Sequence, residues 1–108
     1  MSGEVLMESG ERGVAHVTLR HSGRLNAMSR GMWRQLRVVF EDIQQRSDVR
    51  CVLIAGEGDA LCAGGDISEY PGFRFDVAAL RDFHENDVWG GLNAMLLCDV
   101  PVVALIRG

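Results

Sequence analysis

Two short stretches of the chain are apolar without interruption. Residues 51–55 (CVLIA) lie between charge on one side and Gly56 on the other, and residues 102–106 (VVALI) follow Pro101. Neither alternates in the way of a half-exposed strand, and neither is long enough for a helix. Runs of this kind suit strands buried on both faces, as in a parallel sheet with helices packed on it. Between them, Val77, Leu80, Phe83, Val88, Leu92, Met95 and Leu96 recur at helical spacing after Asp76, a good N-cap. Gly90-Gly91 interrupts that pattern at a cost of about 1 kcal/mol per glycine relative to alanine. A kink or a close backbone approach is expected there. Two buried strands separated by helical segments imply a parallel pair joined by a right-handed crossover. The fold class is α/β.

Upstream, residues 14–19 (VAHVTL) read as a strand, and residues 4–8 as its hairpin partner across a turn at 9–13. Residues 20–28 have no period and read as a loop. Ser29 is placed to cap the most secure helix. Met32, Trp33, Leu36, Val39, Phe40 and Ile43 form its apolar face, and it ends near 46–48. The last apolar run would leave a bare strand whose edge wants covering, so the sequence is expected to be part of a larger domain.

The segment between the first apolar strand and the next helix carries the chemistry. It runs from Gly56 through Cys62-Ala63-Gly64-Gly65-Asp66-Ile67. Glycines let the backbone adopt angles other residues avoid and let a ligand approach the amides. A helix beginning at Asp66 offers unsatisfied N–H groups and a positive dipole end. Such a junction can hold a phosphate, a carboxylate or the oxyanion of a polarised carbonyl. Asp66 and Glu69 have the spacing of a capping box, which explains both acids without a catalytic role. Gly56-Glu57-Gly58 starts like a dinucleotide fingerprint, but Leu61 stands where its third glycine belongs. All 11 cationic side chains are arginine, which removes a P-loop lysine and a Schiff-base lysine. By motif alone, a structural turn and an anion site both stay open.

Composition narrows the classes. The 108 residues suffice for one small domain, and 47% hydrophobic with 24% charged residues is ordinary for a chain that buries a core. A net charge of −4 without a basic block argues against a nucleic-acid surface. No apolar run approaches the ~18 residues of a membrane span, and no secretory signal opens the chain. Cys51, Cys62 and Cys98 lack metal or disulfide spacing and suit reduced thiols of a cytoplasmic protein. His16, His21 and His84 have no spacing for a metal site and read as structural or exposed. Trp33 and Trp89 read as packing residues.

Residues 58–69 (GDALCAGGDISE) resemble the first signature of the crotonase (enoyl-CoA hydratase/isomerase) superfamily. Residues 17–29 (VTLRHSGRLNAMS), 49–56 (VRCVLIAG) and 101–108 (PVVALIRG) resemble three further segments of that family, in the same order. The match covers nearly the whole chain from about Val14. It implies a crotonase-type ββα spiral, incomplete, with residues 1–108 as the N-terminal part of a single domain and the C-terminal half absent.

The resemblance also implies roles. Two backbone N–H groups hold the thioester carbonyl of a coenzyme A substrate and stabilise its enolate-like oxyanion. Ala63 would supply the first, with Gly65 as the alternative. Gly64 and Gly65 would give close approach, and Ile67 and Leu61 would line or support the acyl pocket. Arg24 and Ala27 lie in the part that cradles the nucleotide end of coenzyme A, where Arg24 either pairs with a phosphate or is a solvated loop cation. Asn26 reads as a turn residue. Substrate-binding candidates are thus Arg24, Ala27, Ala63, Gly64, Gly65, Asp66 and Ile67, with no metal and no permanently bound cofactor. The implied activity is enoyl-CoA hydration or isomerisation, a lyase or isomerase step of fatty acid metabolism. Thioester hydrolysis within the superfamily is the runner-up, followed by a non-catalytic fragment and by a generic phosphate-binding module. Family resemblance further implies a trimer or hexamer at full length. The second oxyanion donor and the acid/base glutamates of the family lie beyond the matched segments, so the 108 residues alone are expected to show no turnover.

Overall fold

The computed structural model describes residues 3–108. Strands β1 (Glu4–Ser9) and β2 (Val14–Arg20) form an antiparallel hairpin around a 3₁₀ turn, Glu11–Gly13. Helix α1 (Arg30–Gln45) returns the chain so that β3 (Cys51–Gly56) pairs parallel with β2. A 3₁₀ segment (Ile67–Gly72), α2 (Val77–Asp82), a π-helical turn (Phe83–Val88) and α3 (Trp89–Leu96) lead to β4 (Val102–Leu105), parallel to β3. The sheet order is β1-β2-β3-β4. No helix among the described residues is long and apolar enough to cross a membrane.

Helix α1 organises the core. Ser29 caps it, fully buried, with Oγ accepting from Met32 N at 3.2 Å. Met32, Leu36, Phe40 and Ile43 form a buried stripe at helical spacing. They join Ala15, Val17 and Leu19 of β2 and Val52 and Ile54 of β3 in one core. Alternation along the strands selects these residues, because successive side chains point to opposite faces.

That alternation corrects one expectation. Strand β3 is not buried on both faces: Val52 and Ile54 are buried, whereas Cys51, Leu53 and Ala55 are only partly so. On β4, Val103 and Leu105 are 52% and 41% exposed. Their register partners are Leu53 and Ala55, so both strands present this second apolar face without a covering layer among the described residues.

The long helical stretch differs from expectation in where it breaks. Gly90 and Gly91 lie inside α3, and the irregularity falls earlier, at Phe83–Val88. The widened turn keeps Phe83 and Asp87 both buried. Gly91 marks the expected close approach, since a Cβ there would lie 2.9 Å from the Trp33 carbonyl oxygen. With Gly91 and Ala94 facing inward, Trp89 turns out, 51% exposed. It is not the packing residue its spacing suggests, and Leu92, Leu96 and Leu97 are exposed beside it.

Ser29→Ala removes the buried cap of α1 and is expected to destabilise the fold by about 1–2 kcal/mol. Urea unfolding of the two proteins checks this; a loss below roughly 0.3 kcal/mol would show the cap to be dispensable.

Candidate active site

The loop after β2 and the Gly-rich segment after β3 meet at the same end of the sheet. Loop 21–27 holds itself through His21, whose carbonyl accepts from Arg24 N at 3.1 Å and Asn26 N at 3.3 Å. His21 is buried, and its Nδ1 lies 2.8 Å from the Ala27 carbonyl. A carbonyl only accepts, so Nδ1 carries the proton. His21 is therefore structural, as its isolation in the sequence suggests.

Asn26 does more than turn the chain. It takes the left-handed conformation at φ 59°, which asparagine tolerates. Its Oδ1 accepts from His21 N at 3.0 Å, and its Nδ2 donates to the Glu57 and Ala60 carbonyls, both at 2.9 Å. One buried side chain thus ties the loop after β2 to the loop after β3. Leu25, beside it, also has positive φ (51°) and is 68% exposed. The arrangement places Arg24 in solvent.

Three backbone hydrogen bonds then strap the two segments together. Ala63 N donates to Leu25 O at 3.0 Å, Met28 N to Gly64 O at 2.7 Å, and Asp66 N to Met28 O at 2.9 Å. Met28 and Gly65 form an isolated parallel bridge. Gly64 has φ 108°, a conformation that calls for glycine. Its N–H points back to Cys62 Sγ at 3.4 Å. The amide of Gly65 has no hydrogen-bond partner among the described residues.

These bonds bear directly on the choice between Ala63 and Gly65. The Ala63 N–H, the first choice from sequence, is already committed to Leu25 O and is not open to a ligand in this conformation. The flanking Asp66 N–H is committed as well. Within residues 63–66, the Gly65 N–H is the one left without a hydrogen-bond partner among the described residues. Of the other expected contacts, Ile67 is 77% exposed, while Leu61 packs partly buried against the core. Ala27 is buried, with its carbonyl taken by His21.

Asp66 caps the 3₁₀ segment, but not through a capping box. Its Oδ1 accepts from Ser68 N at 3.1 Å and Ser68 Oγ at 2.6 Å. The Ser68 hydroxyl bond holds its carboxyl below the usual range, against the opposing effect of burial; Arg24 and His21 add smaller stabilisation. Glu69 turns the other way and accepts from Arg30 N at 2.8 Å, capping α1 from outside. The Asp-x-x-Glu spacing resembles a capping box, but its glutamate serves a different helix. Neither acid stands free as a proton donor or base. Among the described residues, no group of three or more His, Cys, Asp or Glu is arranged to hold a metal ion.

Behind the strap lies a buried charge that the sequence reading did not single out. Asp87 is 5% exposed and accepts from Arg30 Nε and Arg34 Nε, each at 2.8 Å. Burial works against its ionisation, but the hydrogen bonds and charges of Arg34 and Arg30 outweigh it, and its pKa lies below the ordinary value. A depressed folded-state pKa makes ionised Asp87 stabilising above about pH 4, and that contribution is lost as pH falls through the folded value. Asp87→Asn is expected to cost about 3 kcal/mol at pH 7 and to flatten the acid limb of stability. Denaturation at pH 7 and pH 3 checks both; an acid limb identical in the two proteins would contradict the assignment.

The geometry has counterparts among known proteins. The enoyl-CoA hydratase/isomerase family model matches residues 9–108. The mitochondrial Delta(3,5)-Delta(2,4)-dienoyl-CoA isomerase of Mus musculus is 34% identical over 112 residues, covering 96% of this chain and 34% of that protein. A protein of Mycobacterium tuberculosis named as a probable enoyl-CoA hydratase, EchA14, is 31% identical over 100 residues, covering 93% of this chain and 38% of its own length. The crystal structure of an enoyl-CoA hydratase/carnithine racemase from Magnetospirillum magneticum superposes with a TM-score of 0.87 at 28% identity, covering 100% of this chain and 39% of that one. An enoyl-CoA hydratase/isomerase from Xanthobacter autotrophicus Py2 also gives a TM-score of 0.87, at 26% identity, with 40% of its chain covered. The chain spans between a third and a half of the length of these relatives. Its mixed α/β structure is accordingly part of a crotonase-type fold, and the chain belongs to the enoyl-CoA hydratase/isomerase family.

Proposed function

We propose that the complete gene product is an acyl-CoA enzyme of the hydratase/isomerase type, in which Gly65 N–H polarises the thioester carbonyl. The observation that carries this reading is the open Gly65 amide in a segment whose Ala63 and Asp66 amides are both bonded. An N–H fixed by its neighbours' hydrogen bonds needs no reorganisation as charge develops on the carbonyl oxygen. Preorganisation of this kind is worth about 3 kcal/mol per donor in acyl-transfer enzymes. The exposed Ile67 and Leu25 offer apolar surface for the acyl or pantetheine chain, and the solvated Arg24 offers a cation for a phosphate of coenzyme A.

The acid/base step belongs to residues outside this chain on this reading. Asp66 is held ionised by Ser68, and Glu69 is tied to Arg30. The cleft beside the loop is lined by Glu57 and Asp59 together with Ser22, Leu25 and Asn26, so Arg24 at its edge is the cation nearest to hand for an anionic group. Coenzyme A enters as part of the substrate, without a permanently bound cofactor. A trimer or hexamer and a cytoplasmic location belong to the same proposal.

Incubation of the complete gene product with crotonyl-CoA tests the reading. Loss of the enoyl absorbance without release of free thiol is the expected result, and Δ3-to-Δ2 isomerisation of 3-enoyl-CoA is the companion assay. Thiol release would instead identify a thioester hydrolase. Failure to bind or convert any acyl-CoA would overturn the proposal.

A further inference from the structure

The end of β3 is shaped around a side chain from a different loop. Gly56 closes that strand, and a Cβ there would lie 2.7 Å from Nδ2 of Asn26 and closer still to the Ala60 and Leu61 carbonyl oxygens. Glycine at this position is what lets the turn at 57–60 fold back over the strand end with the Asn26 amide inside it.

Within that space both polar atoms of the Asn26 side chain are used. Oδ1 accepts from His21 N at 3.0 Å, and Nδ2 donates to the Glu57 and Ala60 carbonyls at 2.9 Å. A backbone N–H only donates and a carbonyl only accepts, so the amide has one orientation. The residue is buried and holds a left-handed backbone. Aspartate matches its shape and its acceptor but, when ionised, has no donor for the two carbonyls. Glycine matches the backbone and makes none of the bonds.

The grip bears on Gly65 through the chain on both sides. Glu57 and Ala60 stand at the entry to the run that reaches Gly65, and the strap from Ala63, Gly64 and Asp66 to residues 25–28 holds its exit. Asn26 sits inside the strapped segment and is the one side chain in it that also grips the entry.

We propose that Asn26 is a positioning residue for the thioester step, clamping the loop after β3 so that the Gly65 N–H stands where the carbonyl oxygen arrives. The inference rests on the reading of Gly65 as the thioester contact. A misplacement of about 1 Å in a reacting geometry costs on the order of 100-fold in rate. An oxyanion donor acts more strongly in the transition state than in the ground state, so the loss falls on kcat more than on KM.

The test is crotonyl-CoA turnover by the complete gene product, expressed per folded protein. Asn26→Asp is expected to lower kcat roughly 30-fold at about pH 8, with KM changed by less than about threefold. Burial against two carbonyls favours the protonated carboxyl, whose O–H restores one donor. The kcat of this variant relative to the unaltered protein should therefore recover about fivefold between about pH 8 and pH 5.5. His21, Glu57 and Asp59 line the same cleft, and Arg20 pairs with Glu57; these groups are common to both proteins and cancel in the ratio. Asn26→Gly should lose as much kcat without the recovery, and it decides the matter alone if the aspartate variant does not fold. A kcat within about threefold of the unaltered protein in either folded variant would overturn this inference and leave the proposed function intact. The same pH profile in both variants, or loss of folding in both, would overturn it likewise. No turnover of enoyl-CoA by the unaltered protein would overturn both.

Discussion

Three backbone hydrogen bonds between residues 25–28 and 63–66 hold the site in its shape. They run from Ala63 N to Leu25 O, from Met28 N to Gly64 O and from Asp66 N to Met28 O. Each joins the connection after β2 to the connection after β3, so the site needs the parallel pairing of those strands. The pairing in turn needs α1, whose buried stripe covers Val17, Leu19, Val52 and Ile54. Asn26 reinforces the strap from one side and Ser29 continues it into the α1 cap. The strap also sets which amides stay open. By consuming the amides on either side, it leaves the Gly65 N–H as the open donor.

The opposite flank of the site is braced by charge and aromatic contact. Asp87 fixes Arg30, Arg30 lies over Phe73 and Phe83, and those rings set Tyr70 beside Gly65. Glu69 closes the circuit by capping α1 at Arg30 N. Elements distant in sequence thus converge on one glycine, from the strap on one side and the stack on the other. Glycine at position 65 is what lets both reach it.

Much of the fold was legible because it rests on periodicity and local chemistry. The hairpin of 4–8 with 14–19, the Ser29 cap, the α1 stripe and the Asp76 cap all follow from short-range patterns. The order of the Gly-rich segment and its flanking strands carried the family. What the sequence did not disclose depends on long-range pairing. Nothing in Asp66-x-x-Glu69 says that Glu69 caps a helix that began 39 residues earlier. No local pattern marks Asp87 as buried or Asn26 as a bridge between loops. The exposure of Trp89 follows from which face of α3 meets α1, and that is set by Gly91 against Trp33. The hydrogen bond that commits the Ala63 amide to Leu25 O is likewise invisible without the register of the two loops.

The central claim is that Gly65 N–H is the donor to the thioester carbonyl. Amide hydrogen exchange resolved by residue, with and without saturating butyryl-CoA, tests it most directly on the complete gene product. Gly65 should exchange rapidly in the free protein and become protected by the ligand, while Ala63 stays protected throughout through its bond to Leu25. Protection gained at Ala63, with Gly65 unchanged, would contradict the account.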